Sequence, residues 1–118
     1  MRDSFQSRVT KWGAACFGPR IAFDLKERNY RFLEEALELV QCLDLPKEKA
    51  LELVEYVYGR PKGEIPQEIG GVIITLVLLA AANGFDVDKA GETELERCWE
   101  KIDVIREKQK RKPIRSNV

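Results

Sequence analysis

The chain contains no histidine. Imidazole acid/base catalysis and histidine metal ligands are therefore excluded. Serine occurs only at Ser4, Ser7 and Ser116, near the two ends, which leaves no basis for a serine triad. Cysteine is as scarce: Cys16, Cys42 and Cys98 are odd in number, far apart and form no C-x-x-C pair. They read as reduced, packed thiols of an intracellular protein. Neither charge is in excess, since Lys+Arg and Asp+Glu are each 20. That balance argues against a nucleic-acid coat protein but permits a small anionic ligand met by a local cluster. The longest apolar run, residues 72–82, is too short to span a bilayer. Met1-Arg2-Asp3-Ser4 leads into a polar amphipathic segment, so no signal peptide is expected. The expected location is cytoplasmic, without a membrane. Any hydrolysis has to rest on carboxylates, a metal held by oxygen, or a thiol.

With 118 residues the chain is expected to form one domain over 1–112, followed by a frayed tail over 113–118. No alternating pattern is long enough to build a sheet, and helical spacing recurs throughout. A first helix is expected over 4–17, with Phe5, Val9, Trp12 and Cys16 on one face; Gly18-Pro19 stops it. Core packing is the simpler role for Trp12. Asp24-Leu-Lys-Glu27 is a capping-box start for a second helix reaching Leu43. A third runs from Lys47 to Tyr58, with Ala50, Leu51, Val54 and Val57 or Tyr58 inward. A fourth begins at Ile65-Pro66 and ends at Asn83-Gly84. Its second half is apolar all round, which places it at a bundle centre or in a subunit interface. A last helix is expected from Thr93, with Glu96 completing a capping box, to Lys112. The fold class is all-α, a four- to five-helix bundle.

The second helix carries the densest chemistry. Phe32, Leu33, Ala36, Leu37, Leu39, Val40 and Leu43 fill an apolar arc of about 160°. Glu34, Glu38 and Glu35 fall at roughly 200°, 240° and 300° on the same wheel, opposite that arc, with Arg28 and Arg31 beside them. Carboxylates one turn apart on one helix reach a single ion, and a second such helix completes an oxygen-lined site for Mg²⁺ or Mn²⁺. The simpler reading of E-E-x-x-E is a solvated polar face. On the fourth helix, Glu68 heads a narrow polar or small-residue stripe that includes Glu64, Gly71 and Thr75, and it needs a cationic partner or a metal.

Glu34-Glu35-x-x-Glu38, followed by Gln67-Glu68-Ile-Gly70 and an apolar helix ending in Ala-Asn83-Gly84-Phe-Asp86, resembles the MazG-like nucleotide pyrophosphohydrolases. The resemblance covers about residues 8 to 110, including the Arg28-x-x-Arg31-Phe-Leu lead-in. It implies the all-α NTP pyrophosphatase fold and Mg²⁺-dependent cleavage of a nucleoside triphosphate to a monophosphate and pyrophosphate. It also implies a homo-oligomer, dimer or tetramer. Carried over, Glu35, Glu38 and Glu68 are implied metal ligands. Glu34 and Glu38 are implied in catalysis, with Glu34 a ligand or the group orienting the attacking water. Arg28 and Arg31 are candidates for phosphate oxygens, or for pairing with neighbouring acids. Asn83 is a candidate for a base contact, or simply a helix C-cap. One family position differs: E-x-x-D would place aspartate where this chain has Gly71. Glu64 or water fills that place, or the protein is a catalytically weakened nucleotide-binding homologue. A helical interaction module without enzymatic activity is the remaining alternative.

Overall fold

The first helix, α1 (Phe5–Phe17), starts where the sequence signals it, because the Ser4 side chain accepts from the Ser7 N–H. In the computed structural model, which describes residues 3–112, it is followed by α2 (Pro19–Ala22), α3 (Leu25–Cys42), α4 (Lys47–Tyr58), α5 (Ile65–Ala82), α6 (Val87–Glu100) and α7 (Ile102–Arg111). There is no strand among the described residues, and the chain is all-α. The expected tail over 113–118 lies outside the described residues.

Two differences raise the helix count from the expected four or five to seven among the described residues. Gly18, at φ +78°, ends α1, and Pro19 at once begins the extra turn α2. The last expected helix is two, and the first of them begins at Val87 rather than Thr93. Asp86 caps α6 by accepting from the Lys89 N–H at 2.8 Å, which displaces the Thr93–Glu96 box into the helix interior. Gly91, a poor helix former, hides this earlier start. It is kept small by α1: a Cβ there would lie 3.1 Å from the Phe5 ring. Lys101 then breaks the helix, and Arg106 of α7 donates to the Cys16 and Ala15 carbonyls at 3.1 and 2.7 Å. These bonds satisfy carbonyls at the end of α1 that the helix itself leaves open.

The packed unit is made by the two ends of the chain. α1 lies against α2, α6 and α7, and Cys16, Ala22 and Leu95 are buried there. Arg8 clamps Glu92 through two bonds of 2.6 Å across the α1–α6 seam. The middle of the chain meets this unit along part of its length, α3 through α7 and α5 through α6. No residue of α4 or α5 is buried. Leu51, Val54, Val57 and Tyr58, expected inward, are all exposed, Tyr58 to 85%. Within one chain α5 is therefore not the centre of a bundle. The whole of α5 is 18 residues and is long and apolar enough, by length and composition, to cross a bilayer. The shorter run at 72–82 did not show this.

The accessible area is 9865 Å², whereas a closed monomer of 13.6 kDa exposes about 6,600 Å². The radius of gyration is 15.8 Å, against about 13.5 Å for a compact domain of this length. Exposed apolar side chains along α3, α4 and α5 contribute to the excess area.

Candidate functional site

α3 is anchored to the packed unit along its N-terminal half. Asp24 caps it, accepting from the Glu27 N–H at 3.0 Å. Glu27, fully buried, accepts from Arg31 Nε at 2.6 Å and from Gln109 Nε2 of α7 at 3.1 Å. Two turns on, Glu34 accepts from Lys112 Nζ at 3.1 Å and from Arg31 Nη1 at 3.4 Å. These bonds hold the acidic side of α3 against the end of α7.

A cleft of about 640 Å³ opens between α1, α3, α6 and α7. Glu34, Glu35, Glu38 and Glu94 line it together with Arg28, Arg31 and Trp12. Bonding to Lys112 lowers the Glu34 carboxyl below its ordinary value. Glu35 moves the other way. Burial pushes it up, and the carboxylates of Glu38, Glu34 and Glu94 add to the rise against the opposing pull of Lys112. A carboxyl raised by like charges is relieved by a proton or by a cation. Oxygen donors at Glu35 and Glu38, one turn apart, fit one side of a Mg²⁺ or Mn²⁺ ion, which keeps several waters of its own.

The structure separates residues that the sequence treats alike. Arg31 is engaged by Glu27 and Glu34, so the acid-pairing role applies to it. Arg28 has no such partner. Its Nε and Nη2 are buried without a hydrogen bond, and so is Trp12 Nε1. Burial depresses the Arg28 guanidinium from its ordinary value. The Arg28 guanidinium lies 5.3 Å from the Phe17 ring centre, and Trp12 meets Phe17 edge-on at 5.4 Å. A buried donor left unsatisfied costs about 1–3 kcal/mol, more when charged.

Glu68 does not join the cleft within one chain. It sits in the first turn of α5, and a Cβ at Gly63 would lie 2.5 Å from its Oε2, so its carboxylate folds back over its own loop. Among the described residues no three acidic or cysteine side chains stand ready to hold one ion. A Cβ at Gly70 or Gly71 would meet nothing within 4 Å, so their smallness serves no packing inside the chain. Asn83 is the C-cap of α5, donating to the Leu79 carbonyl at 2.9 Å. It lines a separate apolar groove of about 600 Å³, with Leu39, Leu43, Leu76, Leu79 and Phe85 among its walls.

Glu94 is the site residue that sequence reasoning missed. It accepts two bonds from Arg97, at 2.8 and 2.6 Å, which lower its carboxyl below the ordinary value. Burial, reinforced by the Glu94 charge, pushes the nearby Cys98 thiol up to about 11. The available signal was Glu94 one turn before Cys98, a residue already read as a packed thiol. Comparison of the chain with models of protein families, with curated proteins and with solved structures finds no match.

Proposed function

We propose that this chain is the subunit of a homo-oligomeric, Mg²⁺-dependent nucleoside triphosphate pyrophosphohydrolase of the MazG-like type, acting in the cytoplasm. The observation that carries the reading is the cleft itself, where the Glu35–Glu38 carboxylates share one concavity with the unpaired Arg28. A metal-bound phosphate chain needs both kinds of wall, oxygen ligands for the cation and a guanidinium for the phosphate oxygens. Glu35 and Glu38 would hold the ion, with Glu68 joining them once α5 is covered in the assembly. The ion, when bound, offsets negative charge on the phosphoryl oxygens. Glu34, kept ionised by Lys112 and Arg31, orients the attacking water beside Glu38.

The assembly reading rests on area. An excess of about 3,000 Å² per chain exceeds the roughly 800 Å² that each partner contributes to a standard interface. A membrane would take α5 alone, whereas the apolar faces of α3 and α4 are exposed as well. A second copy covers all three. In the second reading, Gly71 and the distance of Glu68 from the cleft leave a nucleotide binder without efficient turnover.

The test offers the purified protein a panel of NTPs and dNTPs with Mg²⁺ or Mn²⁺ and follows pyrophosphate. Release by the wild type, abolished in Glu38→Gln with helicity intact, is the expected result. Release only after Gly71→Asp supports the second reading. No release and no metal-dependent nucleotide binding in either protein leaves an interaction module as the better account.

A further inference from the structure

We infer that Trp12 and Arg28 together form a phosphate-binding subsite at the inner wall of the acidic cleft. The inference rests on the proposed function for its substrate, but its own support is geometric. Nε and Nη2 of a guanidinium form one side-on fork, the edge that takes two oxygens of a planar or tetrahedral oxyanion. In this protein another such fork is in use: Arg97 meets both oxygens of Glu94 through the same two atoms. At Arg28 the corresponding pair is buried without a hydrogen bond, and the only other buried side-chain donor without a partner among the described residues is Trp12 Nε1. All three donors belong to residues lining the one cleft.

Chance scatter would spread such atoms over the molecule. Here they gather on α1 and α3, braced by Phe17, which meets the Trp12 ring edge-on and lies beneath the Arg28 guanidinium. Both fork atoms are buried, so a phosphate reaches them by turning the guanidinium off Phe17 toward the cleft. Glu35 and Glu38 on the same cleft decide the kind of anion. A simple carboxylate would satisfy Arg28 and leave those acids facing one another. A phosphate that arrives with a divalent cation satisfies both walls at once, because its oxygens accept from N–H donors while the cation meets the carboxylates. The terminal phosphates of a substrate and the pyrophosphate product share that chemistry.

Arg31 drops out of phosphate binding on this account, since Glu27 and Glu34 already hold it. Trp12, which the sequence offers as core, becomes a ligand-contacting residue.

Inorganic pyrophosphate and inorganic phosphate, each with Mg²⁺, serve as probes against the full chain. The chain has two tryptophans, and Trp99 lines a different groove with Arg8 and Glu92, so Trp99→Phe leaves Trp12 as the only indole reporter. Saturable binding with a change in Trp12 emission is expected. Trp12→Phe keeps the ring and removes the N–H, and should weaken pyrophosphate binding about tenfold by calorimetry. Arg28→Gln should weaken it about a hundredfold, and Arg28→Lys, which keeps the charge without the fork, by an intermediate factor. Circular dichroism on each variant verifies the fold. Unchanged affinity in Trp12→Phe and Arg28→Gln, or no binding of either probe by the wild type, overturns the subsite. So does a raised melting temperature in both variants with binding intact, because the donors would then be packing defects. NTP hydrolysis at unaltered KM in both variants would remove the subsite and leave the proposed activity standing. Probe binding through Arg28 and Trp12 without hydrolysis would do the reverse.

Discussion

Replacing Glu27 by alanine should unfold this protein at a markedly lower temperature. Glu27 is the one fully buried charged side chain among the described residues, at 0% exposure. It accepts from Arg31 Nε at 2.6 Å and from Gln109 Nε2 at 3.1 Å, so one carboxylate ties α3 to itself and to α7. The Arg31 side chain is only 13% exposed and has little water to turn to when that bond is removed. Breaking a buried ion pair from one side costs about 3–5 kcal/mol. Unfolding entropy for a chain of this length is about 0.25 kcal/mol/K, so the melting point should fall by about 12–20 °C. Glu27→Gln keeps the shape and an acceptor oxygen but loses the charge-assisted part of the bond, and about half that fall is expected. The assay is thermal circular dichroism on all three proteins at one protein concentration, because assembly adds concentration-dependent stability. If Glu27→Ala melted within about 3 °C of wild type, less than 1 kcal/mol, the buried carboxylate would not be the anchor described here.

Three further perturbations follow from other parts of the structure. The Glu35 carboxyl is raised above its ordinary value of 4.5, so ionising it opposes folding. Glu35→Gln should therefore be neutral for stability below pH 4.5, and its benefit should emerge as pH climbs through the raised value. Thermal melts across pH test this, and a benefit confined to acid would contradict the sign. Leu53 and Ile73, exposed to 57% and 55% on α4 and α5, are proposed interface residues. Changing either to lysine should dissociate the assembly in sedimentation velocity with helicity preserved; a wild type already sedimenting as a monomer would refute the oligomer. Gly91→Ala places a Cβ 3.1 Å from the Phe5 ring and should destabilise, whereas Gly13→Ala meets only Ala22 Cβ at 3.9 Å. The latter should stabilise by up to about 1 kcal/mol in denaturant titration, as alanine favours a helix interior.

The helices that announce themselves by local chemistry were legible from the residues. α4 begins and ends where proline and glycine place its limits, and α3 and α5 fall within a residue or so of their expected bounds. The early start of α6 was not, because Asp86 to Gly91 holds Val87 and Ala90 but no sustained apolar period. The acidic row Glu34, Glu35 and Glu38 was visible on a helical wheel, and the structure places all three on one cleft. Their fourth neighbour, Glu94, comes from a helix far along the chain, and no spacing rule connects it to α3. The same limit applies to Arg28 and Arg31. They stand three residues apart, and Arg31 is the one engaged, by Glu27 and Glu34, which Gln109 of α7 and its C-cap Lys112 also hold. Glu68 marks the opposite case: no residue of its helix is buried within the chain, and its carboxylate lies outside the cleft that holds Glu35 and Glu38.

The clasp between the chain ends bears on how the protein is made. Arg106 reaches back to Ala15 and Cys16, and Glu92 to Arg8, so α1 meets α2 at once but gains its α6 and α7 partners only when those helices have been synthesised. The segment from the C-terminal half of α3 to Asp86 is an excursion that must be closed as a loop, and loop closure grows only slowly, by about 0.6 kcal/mol per doubling of length. Lengthening or trimming the α4–α5 arm should therefore disturb the clasp little while changing what the arm meets. Folding and assembly are separately adjustable in this chain: the ends decide when the subunit forms, and the middle decides what it joins.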